Sequence, residues 1–407
     1  MATVNTEQRR TNTGPLAGMK VLELAQIMAG PTAGMMLADL GAEVIKVEKL
    51  PGGDDARNYR EPRVNGESAP FMMLNRNKRG LALDLKQDAG KDVLKRMVAR
   101  SDVLIENYRR GAMEKLGLGY EVLAQINPGL IYSAVSGYGR TGPYQDKGGF
   151  DLIAQGFAGL MSITGEPGGA PIKTGNSVAD INAGILAAFG VLAAWIHKLK
   201  TGEGQVVETS LMEAALQQTY WHAAIFFATG HSPTPLGSGH VLTAPYQAFR
   251  TADGYINLGG ANQANWERIA ETLGHAQWKT DPRYQSNQSR MENLESLIAD
   301  MQAVLGTQSS AYWIERFDEA GVPIGPVHSI AEALSHQQVQ AREMVIELDH
   351  PKVGKTRALG LPLKMSRHRL SVDYPAPTLG QHSREILSEF GFESNEIDAL
   401  YAASVIR

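Results

Sequence analysis

The stretch MKVLELAQIMAGPTAGMMLADLGAEVIKVE (19–48) decides the fold. MKVLEL (19–24) and AEVIKVE (42–48) are short β-rich runs, and AGPTAG (29–34) is the strand-to-helix turn between them. In that turn Gly30 lets the backbone bend and Pro31 suits a first helical position. Further β-rich runs follow at LALDL (81–85), DVLIEN (102–107) and LIYSAVSGYG (130–139), with the helical pattern AGKDVLKRMVARS (89–101) among them. Such alternation predicts an α/β fold with a parallel sheet and helices on its faces. The turn is not G-x-G-x-x-G, so the Rossmann-like arrangement is expected without a nicotinamide cofactor.

Past a helix at about 181–200, KTGEGQ (200–205) reads as a turn and SLMEAALQQTYWHAAIFFATG (210–230) as one helix ended by Gly230. Pro, Ser and Gly then mark HSPTPLGSGHVLTAP (231–245) as a loop. YQAFRTADGYINLGG (246–260) gives two strands, and ANWERIAETLG (264–274) and ENLESLIADMQAVLG (292–306) give helices, which together make a small α/β domain. The expected organisation is a large domain over 1–200, a linker over 201–239, the small domain over 240–330, a second linker over 331–354, and a return to the large domain over 355–407.

With 407 residues, 43% hydrophobic and 20% charged, the chain can bury a large core. Its net charge of −4 argues against a nucleic-acid partner. The apolar run GILAAFGVLAAWI (184–196) is shorter than the roughly 20 residues of a membrane span. The polar MATVNTEQRRTNTGPLAG at the N-terminus lacks the apolar centre of a signal peptide, so a cytoplasmic location is expected. Ten histidines show no metal-ligand spacing, and no metal is expected. Zero cysteines leave covalent chemistry to oxygen or nitrogen nucleophiles.

Asp180, in SVADINAG (177–184), stands where the long apolar helix begins. It is either a helix cap or a reactive carboxylate, and both roles can coexist. A carboxylate with an unperturbed pKa near ~3.9 is ionised at neutral pH without a partner base.

The blocks LELAQIMAGPTAGMMLADLGAEVIKVEKLPGGDDAR (22–57), NRNKRGLALDLK (75–86), DVLIENYRRGAMEKLGLGYE (102–121), IYSAVSGYGRTGPY (131–144), GGFDLIAQGFAGLMSITGEPGGAPIKTG (148–175), KTGEGQVVETSL (200–211) and LGQHSREIL (379–387) resemble the class III CoA-transferases, the CaiB/BaiF family that includes formyl-CoA transferase. The resemblance implies a Rossmann-like large domain, a small α/β domain and an interlocked homodimer. Coenzyme A or its acyl thioester is then a substrate and no cofactor is tightly bound. A carboxylic acid is the second substrate, and Asp180 is the nucleophile.

On the same resemblance Ile27, Met28 and Ala29 pass beside the pantetheine arm, and Lys147, Phe150 and Asp151 lie near its thiol end. Lys49, Lys86, Lys115, Asn107, Tyr108 and Arg109 contact coenzyme A, and Leu83 lines the adenine slot. Gly237, Ser238, Gly239 and His240 form a mobile loop over the aspartate. The basic cluster Arg76, Lys78 and Arg79 is a candidate for phosphate contact, and Arg140 and His240 are candidates for holding the acid. His222 and His382 read as structural residues.

Met28 stands where formyl-CoA transferase has a glutamine, and LGSGH (236–240) is shorter than its glycine run, which speaks against formyl and oxalyl specificity. Overall similarity leans toward transferases that use succinyl-CoA. The alternatives are an α-methylacyl-CoA racemase, whose Gly-His-Asp segment here reads Gly149-Phe150-Asp151, and a non-catalytic CoA-binding protein.

Overall fold

The computed structural model describes residues 14–407. Most of the polar N-terminal segment and the start of the expected 1–200 domain lie outside the described residues. The chain divides into two compact units. The larger runs to Ala158 and includes Gly175–Gln218 and Gln337–Arg407, and the smaller comprises Gly159–Thr174 and Thr219–His336.

Six parallel strands form the sheet of the larger unit: β1 (Lys20–Glu23), β2 (Glu43–Glu48), β3 (Lys78–Ala82), β4 (Val103–Glu106), β5 (Ile131–Ser136) and β6 (Val206–Ser210). They lie in the order β3-β2-β1-β4-β5-β6, the order of doubly wound nucleotide-binding sheets. Leu22 of β1 sits between Ile45 of β2 and Leu104 of β4, all three fully buried. Both faces of a parallel sheet are covered, which is why VLIE in β4 is buried at every position.

Helix α1 (Ala29–Asp39) follows β1, and α2 (Asp88–Val98) follows β3 with its apolar side on the core. After β5 come α3 (Asp151–Phe157) and the 24-residue α4 (Val178–Thr201). Glycines bring α4 against its neighbours. A Cβ on Gly184 would lie 2.5 Å from the carbonyl oxygen of Ala29, and one on Gly190 would lie 2.6 Å from Val207. By length and composition α4 could cross a membrane, so the expectation that no segment reaches that length is corrected. Here Ala183, Ala187 and Val191 of α4 are buried, as in the core helix of a folded domain.

The 201–239 linker is also corrected, because it contains β6, which pairs with β5. The helix expected over 210–230 is two, α5 (Leu211–Gln217) and α6 (Tyr220–Thr229). Likewise 331–354 holds two short helices and β10 (Val345–His350), which pairs with β11 (Gly354–Leu359).

In the smaller unit, β7 (Tyr246–Arg250), β8 (Tyr255–Gly259) and β9 (Ile324–Pro326) form an antiparallel sheet. Helices α7 (Gln263–Thr272), α8 (Leu294–Leu305) and α9 (Ser310–Glu319) supply its core with Trp266, Met301 and Phe317.

Candidate active site

β1 feeds toward β2 and β3 on one side of the sheet, while β4 to β6 lie on the other. A crevice therefore opens between the carboxyl ends of β1 and β4, the usual ligand position in such sheets. There Gln26 donates its backbone N–H to Asn107 Oδ1, and Asn107 Nδ2 donates to the Gln26 carbonyl, both at 2.8 Å. A cavity of about 420 Å³ occupies this crevice. Ile27, Met28, Ala29, Asn107 and Tyr108 line it, as do Arg109, Lys147, Phe150 and Asp180.

Ile27 has φ 66, a left-handed conformation that is costly for a β-branched residue, on the order of 1–3 kcal/mol. Its N–H donates to Asp54 Oδ1 at 3.0 Å, and Asp54 Oδ2 lies 2.7 Å from Lys46 Nζ. Lys46 also donates to the Ala25 carbonyl at 2.6 Å and pairs with Glu23 at 3.0 Å. Burial opposes the charge of both Lys46 and Asp54. For Lys46 the carboxylates of Glu23 and Asp54 outweigh it and raise the pKa. For Asp54 the Lys46 ammonium and backbone N–H groups outweigh it and lower the pKa. Lys78 pairs with Glu23 at 2.7 Å, yet desolvation dominates and pushes it down to about 8.

The reading of the first turn is corrected in two places. Ile27, not Gly30, takes the left-handed backbone; Gly30 is required because a Cβ there would lie 2.2 Å from the Ala25 Cβ. Pro31 is the third residue of α1, still within the first turn, whose N–H groups have no intrahelical acceptor.

Asp180 is likewise the third residue of α4, not its cap. The capping oxygen comes from Asp151 on α3, whose Oδ1 accepts from Ala179 N–H at 2.8 Å and from Asp180 N–H at 3.4 Å. Asp151 is buried and also accepts from Gln155 at 2.7 Å, so it supports the turn that carries Asp180. Desolvation, and secondarily the Asp151 charge, raise the Asp180 carboxyl to about 6, so the unperturbed value assumed from sequence does not hold. Asp151 thus accepts from both of these N–H groups.

The other expected site residues stand apart from the cavity wall. Leu83 is fully buried in the main hydrophobic core and forms a β-bridge with Ile406. Lys86 and Lys115 are exposed and away from the cavity wall. Lys49 instead pairs at 2.6 Å with Asp55, which does line the cavity. The basic cluster is consumed by structural pairs: Arg76 with Asp39 at 2.6 Å, Lys78 with Glu23, and Arg79 with Glu43, Glu385 and Glu389. Arg140 is held by Glu106 at 2.9 Å and Glu114 at 2.6 Å.

Sequence reading missed Gly137, Gly148 and Gly149 in the cavity wall. A Cβ on Gly149 would lie 2.6 Å from the Cα of Gly137, so the loop before α3 rests on the end of β5 backbone to backbone. Two glycines this close in space but twelve apart in sequence leave no local signal.

In the smaller unit, Gly237 has φ 60 and donates to the Gly165 carbonyl at 2.8 Å. Ser238 Oγ accepts from Ala248 N–H at 3.1 Å, and Gly239 donates to the Leu236 carbonyl. His240 packs edge-on against Tyr246, with ring centroids 5.2 Å apart. Burial, then the neighbouring His240, lower the His222 pKa. Burial also lowers that of His382, whose Nδ1 accepts from Gly80 N–H on β3.

A model of CoA-transferase family III matches residues 16–383. The succinyl-CoA:glutarate CoA-transferase of Mus musculus is 36% identical over 393 residues, 96% of this chain and 90% of that protein. The succinate–glutarate CoA-transferase of Agrobacterium fabrum is 38% identical, over 92% of this chain and 95% of that one. A crystal structure of a CaiB/BaiF family protein from Brucella suis superposes with a TM-score of 0.83 at 35% identity, covering 93% of this chain and all of that one. The chain belongs to CoA-transferase family III, the CaiB/BaiF proteins, and is an enzyme that transfers CoA groups.

Proposed function

We propose that the enzyme moves CoA from succinyl-CoA to a second carboxylic acid through covalent intermediates on Asp180. The observation that carries this reading is a half-buried carboxylate in the wall of the switch-point cavity of a chain without cysteine. Asp55, also in the wall, is paired with Lys49 at 2.6 Å. A carboxyl raised to about 6 remains mostly ionised at pH 7 and is more basic than a free aspartate.

In this scheme an Asp180 oxygen attacks the thioester carbonyl, the C–S bond breaks, and CoA leaves as thiolate from an aspartyl–acyl anhydride. The thiolate attacks the aspartyl carbonyl, expelling the donor acid and leaving an aspartyl-CoA thioester. The incoming carboxylate displaces CoA to form a second anhydride. CoA then attacks its acyl carbonyl, releasing the new thioester and restoring Asp180. The two transferases described above support succinyl-CoA as donor, with a dicarboxylic acid such as glutarate as acceptor.

Asn107, Tyr108, Arg109 and Lys147 would hold coenzyme A along the cavity. A homodimer fits the exposed apolar surface: no residue of α6 is buried, and Phe227 on it is 82% exposed.

The racemase reading lacks its histidine base, since among the described residues no histidine lines the cavity and Phe150 stands in its wall. Incubation with succinyl-CoA and glutarate, followed by mass spectrometry of the peptide containing residue 180, should show a CoA adduct there. An adduct on another residue, or deuterium exchange at the α-carbon without transfer, would refute the scheme.

A further inference from the structure

Each of the three residues before Met28 is held by a different buried or half-buried side chain. Lys46 takes the Ala25 carbonyl, Asn107 takes both backbone groups of Gln26, and Asp54 takes the Ile27 N–H. Lys46 and Asp54 are fully enclosed, line no part of the cavity, and are bonded to each other. Glycine would adopt the left-handed backbone at position 27 freely, yet the chain places isoleucine there, in the cavity wall. Both the side chain and its unfavoured conformation are therefore maintained, and only Asp54 holds the Ile27 N–H in place.

We propose that Asp54 is a positioning residue for acyl-CoA binding: paired with Lys46, it locks Ile27 in the left-handed conformation and so fixes the edge of the cavity from Gln26 to Ala29. The inference rests on the reading that this cavity takes the acyl-CoA. Removing the lock lets residue 27 relax toward an ordinary backbone, which moves the Gln26 and Met28 flanks while leaving Asp180 on its own helix. The expected signature is weaker binding with turnover at saturation little changed.

The test is CoA affinity by equilibrium titration, and KM and kcat with succinyl-CoA, in the wild type, Asp54→Ala, Asp54→Asn, Ile27→Gly and the double variant Asp54→Ala/Ile27→Gly. Asp54→Ala should raise Kd and KM about tenfold with kcat within about threefold. Asp54→Asn keeps an oxygen for the Ile27 N–H and should recover part of the affinity. With glycine at position 27 the lock is redundant, so the Asp54→Ala effect should shrink to about twofold or less in that background. If Asp54→Ala does not fold, the same comparison is made with Asp54→Asn. Wild-type protein that fails to bind CoA would remove the reading beneath the inference. Wild-type binding with an Asp54 effect that is absent, confined to melting temperature, or equally large in the Ile27→Gly background would overturn the inference itself.

Discussion

Asp151 accepts the backbone N–H of Asp180 at 3.4 Å and that of Ala179 at 2.8 Å, so one aspartate holds the helix turn that carries the other. The arrangement orients Asp180 and also places a second negative charge beside it. Together with burial, this keeps the Asp180 carboxyl at about 6.

The first consequence concerns pH. In the proposed scheme transfer uses the ionised form of Asp180, so kcat/KM should fall about tenfold per pH unit below an acid limb near pH 6. A profile that stays flat down to pH 4.5 would show that Asp180 titrates as an ordinary carboxylate.

Stability should run the other way. The folded-state pKa lies above the usual 3.8, so the penalty for ionising Asp180 is absent below about pH 4 and complete above about pH 6, reaching roughly 3 kcal/mol at most. Asp180→Asn should melt at a higher temperature than the wild type at pH 7.5, with the gain lost near pH 4. Its transfer rate should drop by more than about a thousandfold, about 4 kcal/mol of barrier. Calorimetry at the two pH values, with activity on the same samples, decides both points.

Replacing Asp151 separates support from charge. Asp151→Asn keeps an acceptor for the Ala179 N–H and removes the charge, so the acid limb should move to lower pH with the fold intact. Asp151→Ala loses the acceptor too and should cost about 1 kcal/mol, read by denaturant titration. An unmoved acid limb in Asp151→Asn would leave burial as the sole cause of the raised pKa.

Gly137 and Gly149 touch backbone to backbone, with an added Cβ 2.6–2.7 Å from the opposite chain. Gly149→Ala should force the loop bearing Phe150 and Asp151 away from β5, at about 1–3 kcal/mol, and depress transfer. Near wild-type stability and KM in this variant would mean that the loop position is not critical.

Arg79 offers a contrast. It ties Glu43 at the start of β2 to Glu385 and Glu389 on a C-terminal helix, Ser383–Glu389. Arg79→Ala should lower stability by about 1 kcal/mol, since its partners are partly exposed, and leave KM for succinyl-CoA unchanged. A large rise in KM would restore the phosphate-binding role expected from sequence.

Much was legible before any coordinates. Apolar β-rich runs alternating with a helical pattern pointed to the parallel sheet, because a strand covered on both faces is mostly apolar, as Val103, Leu104 and Ile105 of β4 are. β6 was missed: VVETS lies at the sheet edge with Val206 exposed, so it carries no such run. The blocks around Ile27 to Ala29, Asn107 to Arg109 and Asp180 pointed to residues that do share one cavity. Leu83, Lys86 and the 76–79 cluster lie outside the lining of that cavity, and their partners were not legible, because sequence shows that a residue is basic or apolar but not which carboxylate or core it faces.

By itself the sequence determined the alternation of strands and helices through β5, the absence of cysteine chemistry and an aspartate at the start of a long apolar helix. These follow from local patterns and residue types, which need no partner distant along the chain. Only the tertiary structure decided that Asp151 caps that helix, that Asp54 and Lys46 hold a left-handed isoleucine, and that the Asp180 carboxyl is raised. Burial and hydrogen bonding between residues tens of positions apart exist only once the chain has folded.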